Sequence, residues 1–364
     1  MRFLALALAL ASSVSSPGIR TSLPPAPLHL FSVVWRRSLV RDPTAWKPVE
    51  SGGAAVDPAT GLVVVGTRDG WLHAFTPDGK FAWELEGDGA FSGQPLIDRD
   101  TVYAGTSGGS LYAVGLATGK LRWRYEAKEE LGTRPAVADG RVIVASLQDT
   151  VFAVDAATGT WRWHHRREVR EGFTIRGAAN VIVDAGTVYA AYSDGNVSAL
   201  EVGTGKVRWE RSVAPRGEHP DIDSIRLDDG RLYAAAFSGA VIALDPATGK
   251  LVWQHEVKDA SRLTVVAGTI VAVTSTSVLG LSPVDGSQLW STPLEGGPAA
   301  EPLVAGRWLL VPAGSGGLRW LEAASGRPLR VLQPGTGVSA APGVRGSRVY
   351  VLSNGGDLLA LDVR

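Results

Sequence analysis

Seven times the chain runs through an alternating apolar stretch into a turn glycine, at Gly79, Gly119, Gly159, Gly205, Gly249, Gly286 and Gly326. Six of these are followed four residues on by a tryptophan: Trp83, Trp123, Trp163, Trp209, Trp253 and Trp290. In the seventh unit Arg330 stands where the tryptophan is expected. The glycines recur every 37 to 46 residues, a period that suits four-stranded propeller blades and not the shorter helical repeats. One unit shows the plan. Thr187 to Ser193 reads as a strand entering the turn at Asp194-Gly195, Asn196 to Glu201 as the next strand, Gly203-Thr-Gly205-Lys as a turn, and Val207-Arg-Trp209 as the outer strand. The turn glycines supply the positive φ that a hairpin with matching twist demands. A blade cannot bury both its faces alone, so a flat side chain at a fixed outer-strand position is expected to fill the wedge between neighbours. At ~150–250 Å² and ~25 cal/mol per Å², each tryptophan would contribute roughly 4–6 kcal/mol as an upper bound.

The blade count follows from the ends. The last segment, Gly355 to Arg364, stops at a third strand, before its turn and outer strand. The missing strand lies at the other end, where Trp35-Arg-Arg-Ser-Leu matches Trp209-Glu-Arg-Ser-Val. The expectation is an all-β, eight-bladed propeller of four-stranded antiparallel blades over residues 31–364, closed by pairing of the N-terminal strand with the C-terminal blade. Trp35, Trp83, Trp123, Trp163, Trp209, Trp253 and Trp290 are its expected inter-blade side chains.

Composition narrows the function. Lys plus Arg equals Asp plus Glu at 36 each, so no field of one sign would gather nucleic acid or coat an anionic membrane. With no cysteine in the chain, disulfides, thiolate zinc sites, c-type haem attachment, cysteine nucleophiles and a lipid-bearing cysteine are all excluded. Met1-Arg2 and the Ala/Leu run to Ala11, then Ser12 to Ser16, read as a secretory signal over residues 1–16, too short at about 12 apolar residues to span a bilayer. Residues 17–30 read as a flexible tether.

Catalytic patterns are sought and not met. His164-His165 follows an outer-strand tryptophan, where adjacent side chains point to opposite faces and do not jointly hold a metal. Gly335-Thr-Gly337-Val-Ser-Ala340 has a phosphate-loop form, but no helix pattern follows it. Asp98-Arg-Asp100 and Asp228-Asp229-Gly230 read as turn residues. The basic run Arg162 to Arg170 reads as a solvated face.

Two neighbouring connections are longer than the rest. From the tryptophan position to the glycine of the next inner hairpin, most units need 15 to 17 residues, but Trp163 to Gly186 takes 23 and Trp209 to Gly230 takes 21. These connections lie on one rim, which makes that rim a candidate binding face. The first carries Phe173-Thr-Ile175-Arg176-Gly177 and the second Asp221-Ile-Asp223. From the residues alone, Phe173 and Ile175 could equally begin a core strand, with Asp221 and Asp223 capping turns or pairing with Arg176.

The recurrent Ala-Leu-Asp-x-x-Thr-Gly-Lys-x-x-Trp, as at Ala243 to Trp253, resembles the pyrroloquinoline-quinone propeller repeats. That resemblance implies the fold. Dehydrogenases of that group carry a vicinal cysteine pair and a calcium cluster beside the quinone; this chain lacks cysteine and has no evident calcium cluster, so no cofactor and no enzymatic activity are expected. From Phe173 onward the chain is similar to the BamB family of outer-membrane protein assembly factors, whose Leu-x-Leu-Arg-Gly and Asp-x-Asp segments are matched by Phe173 to Gly177 and by Asp221 to Asp223. The resemblance implies a periplasmic scaffold at the inner face of the outer membrane. It would bind a POTRA domain of BamA through Phe173, Ile175, Arg176, Asp221 and Asp223, as a monomer within a larger complex. Lacking a cysteine to carry lipid, it would reach the membrane only through its partner. A generic exported interaction propeller is the alternative reading, and a quinone-dependent dehydrogenase the third.

Overall fold

A computed structural model describes residues 30–40, 49–167, 179–213 and 220–364. Their strands form eight antiparallel four-stranded sheets, and in seven of them the strands follow in sequence order from the axis outward. Blades 1 to 7 span residues 54–86, 96–126, 136–166, 182–212, 222–256, 262–293 and 303–332. Blade 8 is composite: Gly343–Arg345, Arg348–Leu352 and Asp357–Val363 are completed by Phe31–Ser38 from the other end of the chain. That outer strand lies antiparallel to its neighbour, Phe31 opposite Val363 and Ser38 opposite Asp357.

The core is divided into eight apolar clusters, each of which draws residues from two adjacent blades. A ring of wedges therefore stands in for one central core, and each seam must be filled separately. Within each blade the outer pair slips register at one place, the residue just before the tryptophan position, from Val34 before Trp35 to Leu329 before Arg330. Such a bulge bends the edge strand and re-aims the side chain that follows it. Opposite the tryptophan stands a small residue, Ala113 facing Trp123 and Ala153 facing Trp163, which leaves room for the ring.

Each indole crosses the seam onto the turn glycine of the following blade. Trp35 lies on Gly79, Trp83 on Gly119 and Trp123 on Gly159, so close that a Cβ on any of these glycines would sit 2.7 Å from ring carbon. Most indoles also donate to a carbonyl beyond the seam, Trp83 to Leu116 at 2.7 Å, Trp123 to Ala156 at 3.0 Å and Trp163 to Val202 at 2.8 Å. The glycines thus serve two needs, a φ near +70° and a flat landing surface. Trp290 differs: its ring also covers Gly280 of its own blade, and its N–H has no acceptor among the described residues.

Arg330 has a structural explanation. Its blade faces blade 8, where the chain ends replace the usual turn, so no glycine waits for an indole. The aromatic bulk moves one strand inward, to the fully buried Trp320 opposite Arg330. Phe31 stacks on Trp320 at 4.7 Å, and the Arg330 guanidinium lies 5.5 Å from the Phe31 ring centre.

Candidate functional site

Strand register makes eight positions equivalent, each four residues before the last paired residue of the innermost strand of its blade. Five of them are polar or charged at full length: Gln94, Arg134, Asn180, Arg262 and Glu301. The other three are Gly52, Ser224 and Ala341. Two cavities of about 320 and 180 Å³ share Gln94, Arg134, Glu301 and Ala341, and every blade contributes to the smaller one. A space lined from all eight blades is the axial channel. Arg226 joins it one step farther along blade 5, where the equivalent positions include Ala54, Leu96 and Leu303.

The polar groups are tied across the channel. Glu301 pairs with Arg226 and accepts a hydrogen bond from Asn180 at 3.2 Å. Asn180 in turn accepts from the Arg134 backbone N–H at 2.8 Å, and Gln94 donates to the Ala54 carbonyl at 2.7 Å. The Arg134 guanidinium makes no hydrogen bond among the described residues. By surface area it is open to the lumen, yet protein encircles it. The encircling mass weighs more for its charge, and that desolvation pushes the guanidinium below its ordinary value despite the attraction of Glu301.

Of the residues singled out in the second long connection, Asp221 is fully buried and offers no surface to another protein; its carbonyl accepts from Phe237 N–H at 2.9 Å. Asp223 falls at a register slip between Ile222 and Ser224, which turns it to the channel mouth, 4.0 Å from Arg262. It is 8% exposed, and burial pushes its carboxyl up to about 6. Glu50, fully buried beside the same mouth, accepts from the Arg68 backbone N–H at 2.8 Å and is raised by burial to about 7. Both acids hold protons more tightly folded than unfolded, so the native state binds more protons between about pH 4 and 7 and stability falls as pH rises through that window. Asp78 and Asp155, held near 2 by hydrogen bonds, act with opposite sign only below that window. Asp223→Asn should match wild type near pH 4 and exceed it by roughly 1–3 kcal/mol near pH 8. Urea unfolding at the two pH values checks this, and an equal difference at both would remove Asp223 from the account.

The channel mouth opens among the segments that lead into the innermost strands, the rim that carries the two long connections. Phe173, Ile175 and Arg176 lie outside the described residues. At the base of the first connection Arg167 is clamped by Asp194 at 2.6 Å and by Glu210, and stacks over Tyr192. Arg162 pairs with Asp155 and Arg166 with Glu129, so the described part of the basic run is laced with ion pairs and is not merely solvated. Among the described residues no group of three His, Cys, Asp or Glu side chains is placed to hold a metal ion.

The channel arginines were not singled out from sequence. A signal exists for Arg134 alone among them: with Gln94, Glu301 and Ala341 it immediately precedes a proline at the head of an inner strand, whereas Arg226 and Arg262 are followed by leucine. Proline holds the preceding residue extended, which fixes that side chain at one level of the channel.

The sequence profile of the outer membrane protein assembly factor BamB matches residues 32–115, 92–277 and 274–364. BamB from Moraxella catarrhalis superposes with a TM-score of 0.79 at 23% identity, covering 91% of this chain and 99% of that one. The computationally designed protein Ika8 gives 0.69 at 16% identity, with 88% and 98% covered. Quinohemoprotein alcohol dehydrogenase from Comamonas testosteroni gives 0.72 at 16%, with 91% and 76% covered. At these identities the structural likenesses are likenesses of fold. No curated protein sequence matches.

Proposed function

The chain belongs to the family of the outer membrane protein assembly factor BamB, and from that membership we propose that it is a non-enzymatic periplasmic scaffold of the β-barrel assembly machinery, held at the inner face of the outer membrane by docking onto a POTRA domain of BamA. The observation that carries the reading is the pair of long neighbouring connections on the rim of a closed propeller. Loops set on a regular scaffold are a common plan for protein recognition. Phe173, Ile175 and Arg176 in the first connection supply an apolar anchor beside a guanidinium, the composition of a small interface hot spot. Asp223, at the mouth, contributes charge to the border of that surface, whereas Asp221 would act by shaping the turn beneath it.

Co-precipitation with purified BamA POTRA domains tests the proposal. Wild type should bind, and Phe173→Ser combined with Arg176→Glu should weaken binding about a hundredfold, with the melting temperature of the propeller unchanged. Absence of wild-type binding would remove BamA as the partner; equal binding by the double variant would remove this rim as the docking surface.

A further inference from the structure

We propose that the axial channel is a binding site for a small polyanion bearing carboxylate or phosphate groups, held by Arg134 with Arg226 and Arg262. The chain has no net charge overall, yet three guanidiniums line two adjoining cavities of the channel whose acids are Glu301 and Asp223. Glu301 is already engaged by Arg226 and Asn180, and Asp223 sits 4.0 Å from Arg262. Arg134 is left between the two cavities with its fork of donors unused. Open to the lumen and given no acceptor among the described residues, that guanidinium can supply a bound anion with charge-assisted hydrogen bonds.

Size and placement suit the purpose. The larger cavity, about 320 Å³, is at the lower end of the range for small-molecule sites. Its polar groups stand on the innermost strand of blade 5, at Arg226, and on the segments that lead directly into the innermost strands, at Gln94, Arg134 and Glu301. Gln94 and Asn180 add neutral amides that would fix the orientation of an oxyanion.

The test uses the full chain with two probes, citrate and pyrophosphate, against sodium chloride of matched ionic strength. Isothermal calorimetry should show saturable binding of at least one probe with one site per chain, and the melting temperature should rise with it. Arg134→Gln keeps the backbone N–H that donates to Asn180 and breaks no described side-chain bond, so it should fold normally. It should weaken binding about tenfold to a hundredfold, as loss of a charge-assisted hydrogen bond does. Arg162→Gln, on the outer surface, should bind as wild type. Citrate alone binding assigns the carboxylate class, and pyrophosphate alone the phosphate class. Stabilisation no greater than that of chloride, or binding that survives Arg134→Gln undiminished, overturns the proposal. None of these outcomes depends on BamA.

Discussion

Gly159→Ala should destabilise the propeller by about 3–5 kcal/mol, while Gly140→Ala in the same blade should cost only about 1–2 kcal/mol. The two glycines have nearly the same backbone, with φ of +71° and +69°. Backbone strain from an added Cβ is therefore the same at both. Surroundings differ completely. At Gly140 nothing lies within 4 Å of the added carbon, but at Gly159 it would meet Cδ2 and Cε3 of Trp123 at 2.7 Å. The indole must retreat, which opens the seam between blades 2 and 3 and breaks its 3.0 Å hydrogen bond to the Ala156 carbonyl. Overpacking at about 1–3 kcal/mol and the lost bond at about 1 kcal/mol make up the difference. Urea unfolding of the two variants measures it, and equal losses would show that the turn needs glycine for its φ alone.

Removal of residues 1–38 should be more damaging, above about 5 kcal/mol, and should add higher oligomers that the full chain does not form. The truncation takes away the outer strand of blade 8 and exposes the edge of Asp357–Val363 along its length. It also takes Trp35 from the seam between blades 8 and 1, where it packs with Phe75 and Tyr350 and donates to the Pro77 carbonyl at 2.9 Å. Loss of the Arg36–Asp357 pair matters little, since Arg36 is largely in water. What matters is that an unpaired edge of seven residues will pair with another copy. Light scattering after size exclusion reads the oligomers. A peptide of residues 31–38 supplied in trans should compete them away, and a truncated chain with no added oligomers and an unchanged melting temperature would mean that closure is dispensable.

Those two experiments also divide what is local in this protein from what is not. Strand alternation, turn glycines and the tryptophan four residues beyond each were legible in sequence because they recur at fixed offsets within about ten residues of chain, although the tryptophan serves the seam with the next blade. Counting them, and matching Trp35 to Trp209, was enough for eight blades and for closure. Two connections longer than their counterparts were legible too, although most of their residues lie outside the described ones. Asp221, which the sequence left open between a partner contact and a turn cap, is fully buried.

By itself, then, the sequence determined the repeat, the blade count and the way the ring shuts, because each rests on short-range stereochemistry repeated many times. Curvature of the finished ring decided the rest. It carries Trp123 to a glycine 36 residues away and not to the one in its own turn. It likewise turns Arg330 from an apparent defect into the partner of Phe31 at the seam of the two chain ends. Most of all, it gathers Arg134, Arg226, Arg262 and Glu301, from four separate repeats, around one axis. Proximity of that kind is set by how blades are arranged about a centre, and no single blade contains the information.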